Sequence, residues 1–126
     1  SNQITFGEKL RFKLIFSQKE EMQNLHFRFC INLQDMKAIA MSMSGKINTD
    51  VGDNECSFEV DTSFLAPSKY ILKIIALEPS EAGTQIRHDV VRRALAFEVI
   101  TKNQLHNFVW DTEYWGNCVL PDATEI

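Results

Sequence analysis

Three histidines, His26, His88 and His106, are the side chains of this chain whose ordinary pKa lies close to neutrality. Each stands alone in the sequence. General acid–base or nucleophilic chemistry needs a nucleophile, a base and an orienting group in convergent positions, and no such spacing surrounds any of the three. The HExxH and paired CxxC metal spacings are missing, as are the GxSxG elbow, the GxGxxG dinucleotide turn and the phosphate-binding P-loop. Asp50, Asp53 and Glu55 fall in one turn without the ordered spacing of a calcium loop, and Glu20-Glu21 separate two strand-like segments. Both read as solvated acidic turns. No metal site, cofactor or catalytic residue is expected.

The polar chemistry that remains is that of binding. His26, Arg28 and Asn32 occupy even positions of one alternating segment, so they project from one face if that segment is extended. Lys73 is expected to join them from a neighbouring strand, with Arg11 and Lys13. Sugars present planes of hydroxyls and apolar C–H faces, and a binder wants forked hydrogen-bonding side chains together with flat rings. Trp110, Tyr114 and Trp115 supply rings. The candidate ligand-binding set is therefore His26, Arg28, Asn32, Lys73, Trp110, Tyr114 and Trp115. Its competitor is ordinary solvation of a sheet, with the tryptophans packing in a C-terminal strand.

The elements that must position these residues are strands. Leu10, Phe12, Leu14 and Phe16 alternate with Lys9, Arg11, Lys13 and Ile15, which marks a half-buried strand. Leu25, Phe27, Phe29, Ile31 and Leu33 repeat the pattern more strictly. Residues 38–43 form a third strand, with the polar turn Asn32 to Lys37 closing a hairpin, and Cys56, Phe58 and Val60 alternate in a fourth. Tyr70 to Leu77 is nearly continuously apolar apart from Lys73, which predicts burial on both faces. Leu95, Phe97 and Val99 alternate again, after a segment from His88 to Arg93 that fits a strand or one helical turn. No long stretch carries the 3.6-residue period of a helix, and short strands follow one another at the spacing of a sandwich or barrel. In Leu65-Ala66-Pro67-Ser68-Lys69-Tyr70, a Tyr opens an apolar strand after a Pro turn, as in the tyrosine corner of an immunoglobulin-like sandwich. The expectation is an all-β, immunoglobulin-like antiparallel β-sandwich.

At 126 residues, 44% hydrophobic and 24% charged, the chain suits one folded domain spanning 1–126. A net charge of −4 gives no general attraction to phosphate backbones, so nucleic acid is not an expected partner. No apolar run approaches the roughly 20 residues of a membrane span, and no leader pattern opens the chain. A start at Ser1-Asn2 without Met is read as a domain cut from a longer protein. Cys30, Cys56 and Cys118 cannot all pair with one another, which fits a reducing compartment. Ile71, Ile75 and Leu77 face away from Tyr70, Leu72 and Ile74, so something apolar must cover them. Either a second protomer or the segment Phe108 to Leu120 would serve.

Phe6-Gly7-Glu8-Lys9-Leu10, the stretch Leu65 to Leu77, Leu95-Ala96-Phe97-Glu98-Val99 and the closing Trp115-Gly116-Asn117-Cys118-Val119-Leu120-Pro121 occur in an order that resembles one family. It is the C-terminal carbohydrate-binding domain of Wzt-type ATP-binding subunits from O-antigen polysaccharide ABC transporters. One departure is Ser68-Lys69, where that family often has Gly before the Tyr-bearing strand. The resemblance implies a homodimeric immunoglobulin-like sandwich that recognises a finished, lipid-linked polysaccharide, commonly at a modified end. It also implies a place on the cytoplasmic side of the bacterial inner membrane, with the transporter's membrane subunit as partner through the full-length protein. The family shares no sugar-contact motif, so it assigns no site residue here. The alternative is a structural or dimerisation domain that regulates an attached ATPase without touching glycan.

Overall fold

The computed structural model describes residues 2–102 and 109–126; His106 and Phe108 lie outside the described residues. Within them the chain forms β1 (Gln3–Thr5), β2 (Leu10–Gln18), β3 (His26–Asn32), β4 (Ala38–Lys46), β5 (Gly52–Val60), β6 (Ser68–Pro79), β7 (Gln85–Ile100) and the one-turn helix α1 (Thr112–Trp115). One sheet has the order β1-β7-β6-β3-β4, and β2 pairs with β5 in a second. Every pairing is antiparallel except that of the short β1, which runs parallel to β7. The fold is all-β, as the alternation predicts.

The same alternation decides which side chains fill the space between the sheets. Phe27, Phe29 and Ile31 of β3 join Tyr70, Leu72 and Ile74 of β6 on one wall, and Phe12, Leu14 and Phe58 press on them from the two-stranded sheet. Phe29 is only 2% exposed and sits at the centre, its ring 4.9 Å from Phe58 and 5.2 Å from Phe12, the latter edge to face. Phe16 meets Phe27 edge to face at 5.4 Å.

Arg11 and Lys13 point away from this core, where they pair with Glu59 at 2.7 Å and Glu55 at 2.8 Å across β2 and β5. That is the outer face of the smaller sheet. His26, Arg28 and Asn32 belong to the larger one and project from the opposite side of the sandwich, so the expectation that Arg11 and Lys13 join them is overturned. Period 2 tells which face of its own strand a residue takes, but not which sheet the strand enters. The Arg11 hydrogen bond holds the Glu59 carboxyl below its ordinary value of 4.5. A carboxylate lowered in this way stabilises the fold at neutral pH and loses that contribution as the pH falls through its folded-state value. Because the pair is solvent-screened, Glu59→Gln is expected to leave the urea midpoint at pH 7 unchanged.

The tyrosine corner is present. The Tyr70 hydroxyl, in a side chain 1% exposed, donates to the Ala66 carbonyl oxygen at 2.5 Å, and Ser68 and Lys69 are the first two residues of the strand that carries it. β6 is buried on both faces, as its continuous apolar run predicts. Ile71, Ile75 and Leu77 are covered within the single chain, so their burial requires no second copy.

β7 runs as strand through His88 to Arg93, which resolves that segment in favour of strand over helix. Its alternation is blurred by bulges: Leu72 pairs with Leu95 and Ile74 with Val91, two steps along β6 against four along β7. In the C-terminal aromatic segment residues 112–115 form helix α1, so the competing reading, with the tryptophans packed in a C-terminal strand, is not what the fold shows. Asp111 caps it by accepting from the Glu113 N–H at 3.0 Å, and Gly116, at φ 79°, ends it in a conformation that favours glycine. No helix of the described residues is long and apolar enough to cross a membrane.

Candidate functional site

Strand register brings four of the seven expected residues together. On the outer face of the larger sheet, His26 lies opposite Leu77, Arg28 opposite Ile75, Cys30 opposite Lys73 and Asn32 opposite Ile71. His26, Arg28, Asn32 and Lys73 therefore share one surface. Much of their hydrogen-bonding capacity is already engaged: His26 Nδ1 lies 3.0 Å from the Asn24 carbonyl oxygen, and Arg28 Nη2 donates to Gln85 Oε1 at 2.7 Å. Arg28 Nε and Asn32 Oδ1 are buried without partners.

The three rings belong to a different place, the neighbourhood of α1. Trp110 packs edge to face on Trp115 at 5.4 Å and donates its indole N–H to the Gly116 carbonyl oxygen at 2.8 Å. Tyr114 is 79% and Trp115 48% exposed. This segment is anchored to the connection between β5 and β6, where the Ala66 N–H donates to Asn117 O at 3.0 Å and the Val119 N–H to Phe64 O at 2.6 Å. The expected set is thus divided between a strand face and a helical platform.

A third region was not legible as a site. Two strands cannot cover five, and the inner face of the larger sheet stays open where β6 ends and β7 begins. Val91 shows this: it pairs with buried Ile74 yet is 45% exposed. The result is a groove of about 570 Å³ between the β2–β3 connection and the β6–β7 hairpin. Phe16, Phe27, Ile74, Ala76 and Val91 supply apolar lining, and Gln18, Glu20, Glu21, Glu78 and His88 supply polar groups.

The groove walls are tied together. His88 Nε2 is 2.8 Å from Glu78 Oε1, while Glu78 Oε2 accepts from the Asn24 N–H at 3.2 Å. Asn24 Nδ2 also donates to the Pro79 carbonyl oxygen at 2.8 Å. One carboxylate therefore locks the β2–β3 connection onto the hairpin. Gln18 is 4% exposed, and its Oε1 accepts from Thr49 Oγ1 at 2.6 Å while its Nε2 has no partner. Such a mixture of apolar lining and fixed polar groups is what small-molecule and oligosaccharide sites use. Among the described residues, no three His, Cys, Asp or Glu side chains converge to hold a metal ion.

His88 and Glu20-Glu21 looked isolated or merely solvated in the sequence. The available signal was the Pro79 to Gly83 turn, which folds β7 back along β6 so that Glu78, opposite Ile86, reaches the His88 ring.

No known family profile matches the chain, and no curated protein does. Among solved structures, the chain is similar to the crystal structure of the C-terminal domain of Wzt, with a TM-score of 0.65 and 14% identity, over 98% of this chain and 73% of that one. At that identity the likeness is one of architecture, and on that ground the two-sheet arrangement described above is the fold of the Wzt C-terminal domain.

Proposed function

We propose that this domain is a non-catalytic carbohydrate-binding module that recognises lipid-linked O-antigen or a related polysaccharide for export by an ABC transporter. The observation that carries the reading is the groove at the open end of the sandwich, with an apolar lining beneath carboxylates and an amide. Sugar rings have this same duality, with C–H faces that seek apolar surface and hydroxyls that donate to carboxylates. The fold shared with the Wzt C-terminal domain supports the transporter setting. In that setting the domain works as a homodimer on the cytoplasmic side of the inner membrane, next to the membrane subunit.

A second reading places the glycan on the exposed rings of Tyr114 and Trp115, the latter braced by Trp110. An exposed Trp115 ring held in fixed orientation favours it, because stacking on a rigid ring costs little entropy. Two variants separate these readings in an amide NMR titration with polysaccharide from the source organism. If the groove is the site, Val91→Arg weakens binding by at least about tenfold, or about 1.4 kcal/mol, and Trp115→Ala leaves it unchanged. The reverse pattern supports the aromatic platform. If no resonance moves with glycan, both fall and a structural or dimerisation role takes their place.

A further inference from the structure

From the charge of the groove we infer that the glycan segment it admits is neutral or amine-bearing, and that a sugar carrying phosphate or carboxylate is excluded. This rests on the reading of the groove as the glycan site. Glu20, Glu21 and Glu78 line it, against Lys19 and His88, and the His88 ring is already held by Glu78. Carboxylate oxygens only accept hydrogen bonds, so they suit hydroxyl, amide N–H and ammonium donors. A phosphate or uronate brings acceptors without protons into the same space, where like charges repel.

A site for an anionic sugar would be built differently, with Arg forks or a row of backbone N–H groups turned to the ligand. Among the described residues that line the groove, Lys19 is the one fixed cation. Arg87, Arg92 and Arg93 of β7 are exposed but do not line it. Gln18 adds an observation independent of charge. It is buried in the wall with its amide N–H donor unused, and that donor complements a hydroxyl or ring oxygen.

Two matched pairs of oligosaccharide test this by amide NMR at low salt, where such forces are least screened. The first is the galacturonate tetramer against its methyl ester, and the second is the glucosamine tetramer against its N-acetylated form. The expected result is shifts around Gln18, Ala76 and Val91, with the methyl ester binding at least about tenfold more tightly than the free acid. The glucosamine tetramer should bind no more weakly than its N-acetylated form. The double variant Glu20→Lys/Glu21→Lys changes two exposed loop residues and should narrow or invert the first gap. Groove binding in which the acid equals or exceeds its ester overturns the inference and leaves the groove as a glycan site. A gap untouched by the double variant also overturns it, because charge would not be its cause. If none of the four sugars moves a groove resonance, the glycan reading of the groove falls, and the inference with it.

Discussion

Phe29→Ala is expected to lower the free energy of unfolding by about 3–5 kcal/mol, the usual cost of emptying an aromatic site in a core. Phe29 is where the two sheets meet: it touches Phe12 and Phe58 from the smaller sheet and lies beside Phe27 on its own. Removing the ring leaves a void bounded by other rings, whose rigid shapes limit collapse into it. A domain of this size has about 5–15 kcal/mol of stability in total, so the variant should show a marked loss in urea midpoint and melting temperature. Phe29→Leu keeps most of the volume and should cost less. An unfolding free energy within about 1 kcal/mol of wild type for the alanine variant would show that the aromatic cluster does not hold the sheets together.

Tyr70→Phe isolates the polar half of the corner. The ring stays packed on Phe97, at 5.6 Å, but the donor to the fully buried Ala66 carbonyl disappears, as does the acceptor 3.5 Å from Asn117 Nδ2. Leaving a buried carbonyl without its donor costs about 1–3 kcal/mol. A second measurement carries a sign. Burial raises the Tyr70 hydroxyl above the ordinary 10.0 of a tyrosine, with the Asn117 hydrogen bond opposing the shift. A group whose neutral form is favoured in the folded state contributes stability below the unfolded value and loses it as the pH rises through the folded one. The difference between wild type and Tyr70→Phe should therefore narrow above about pH 10. A difference that stays constant into alkali would place the effect in packing and not in the hydroxyl.

The fold was largely readable because its strands are one-sided or fully buried, and both conditions write themselves into residue order. β2 and β3 alternate, and β6 does not because both its faces are covered. β1 was missed since three residues carry no period, and β7 was ambiguous because its bulges shift side chains off alternation. Helix α1 lies in a stretch whose sequence signal was only its aromatic content, because Asp111 two residues before Glu113 and Gly116 at the far end hold its start and stop signals in a single turn.

The site was harder to read for a geometric reason. Strand periodicity placed His26, Arg28, Asn32 and Lys73 on one surface because they sit at matching register, a local property of two neighbouring strands. The groove draws instead on β2, the β2–β3 connection, β3, β6 and β7. Its existence depends on how many strands each sheet has, which no segment announces. Glu78 and His88 become partners only once the hairpin closes.

The parallel pairing of β1 with β7 has a practical consequence. Gln3 lies beside Glu98 and Thr5 beside Ile100, at the end of the sandwich opposite the groove, and Cys118 bridges Leu65 at that same end. Because β1 runs parallel to β7, a tail before Gln3 heads back toward the groove, whereas a biotin on the exposed Cys118 would hold the sandwich by its foot with the groove mouth facing the liquid. Surface-immobilised binding measurements can then be made with long polysaccharide chains without the support crowding their approach.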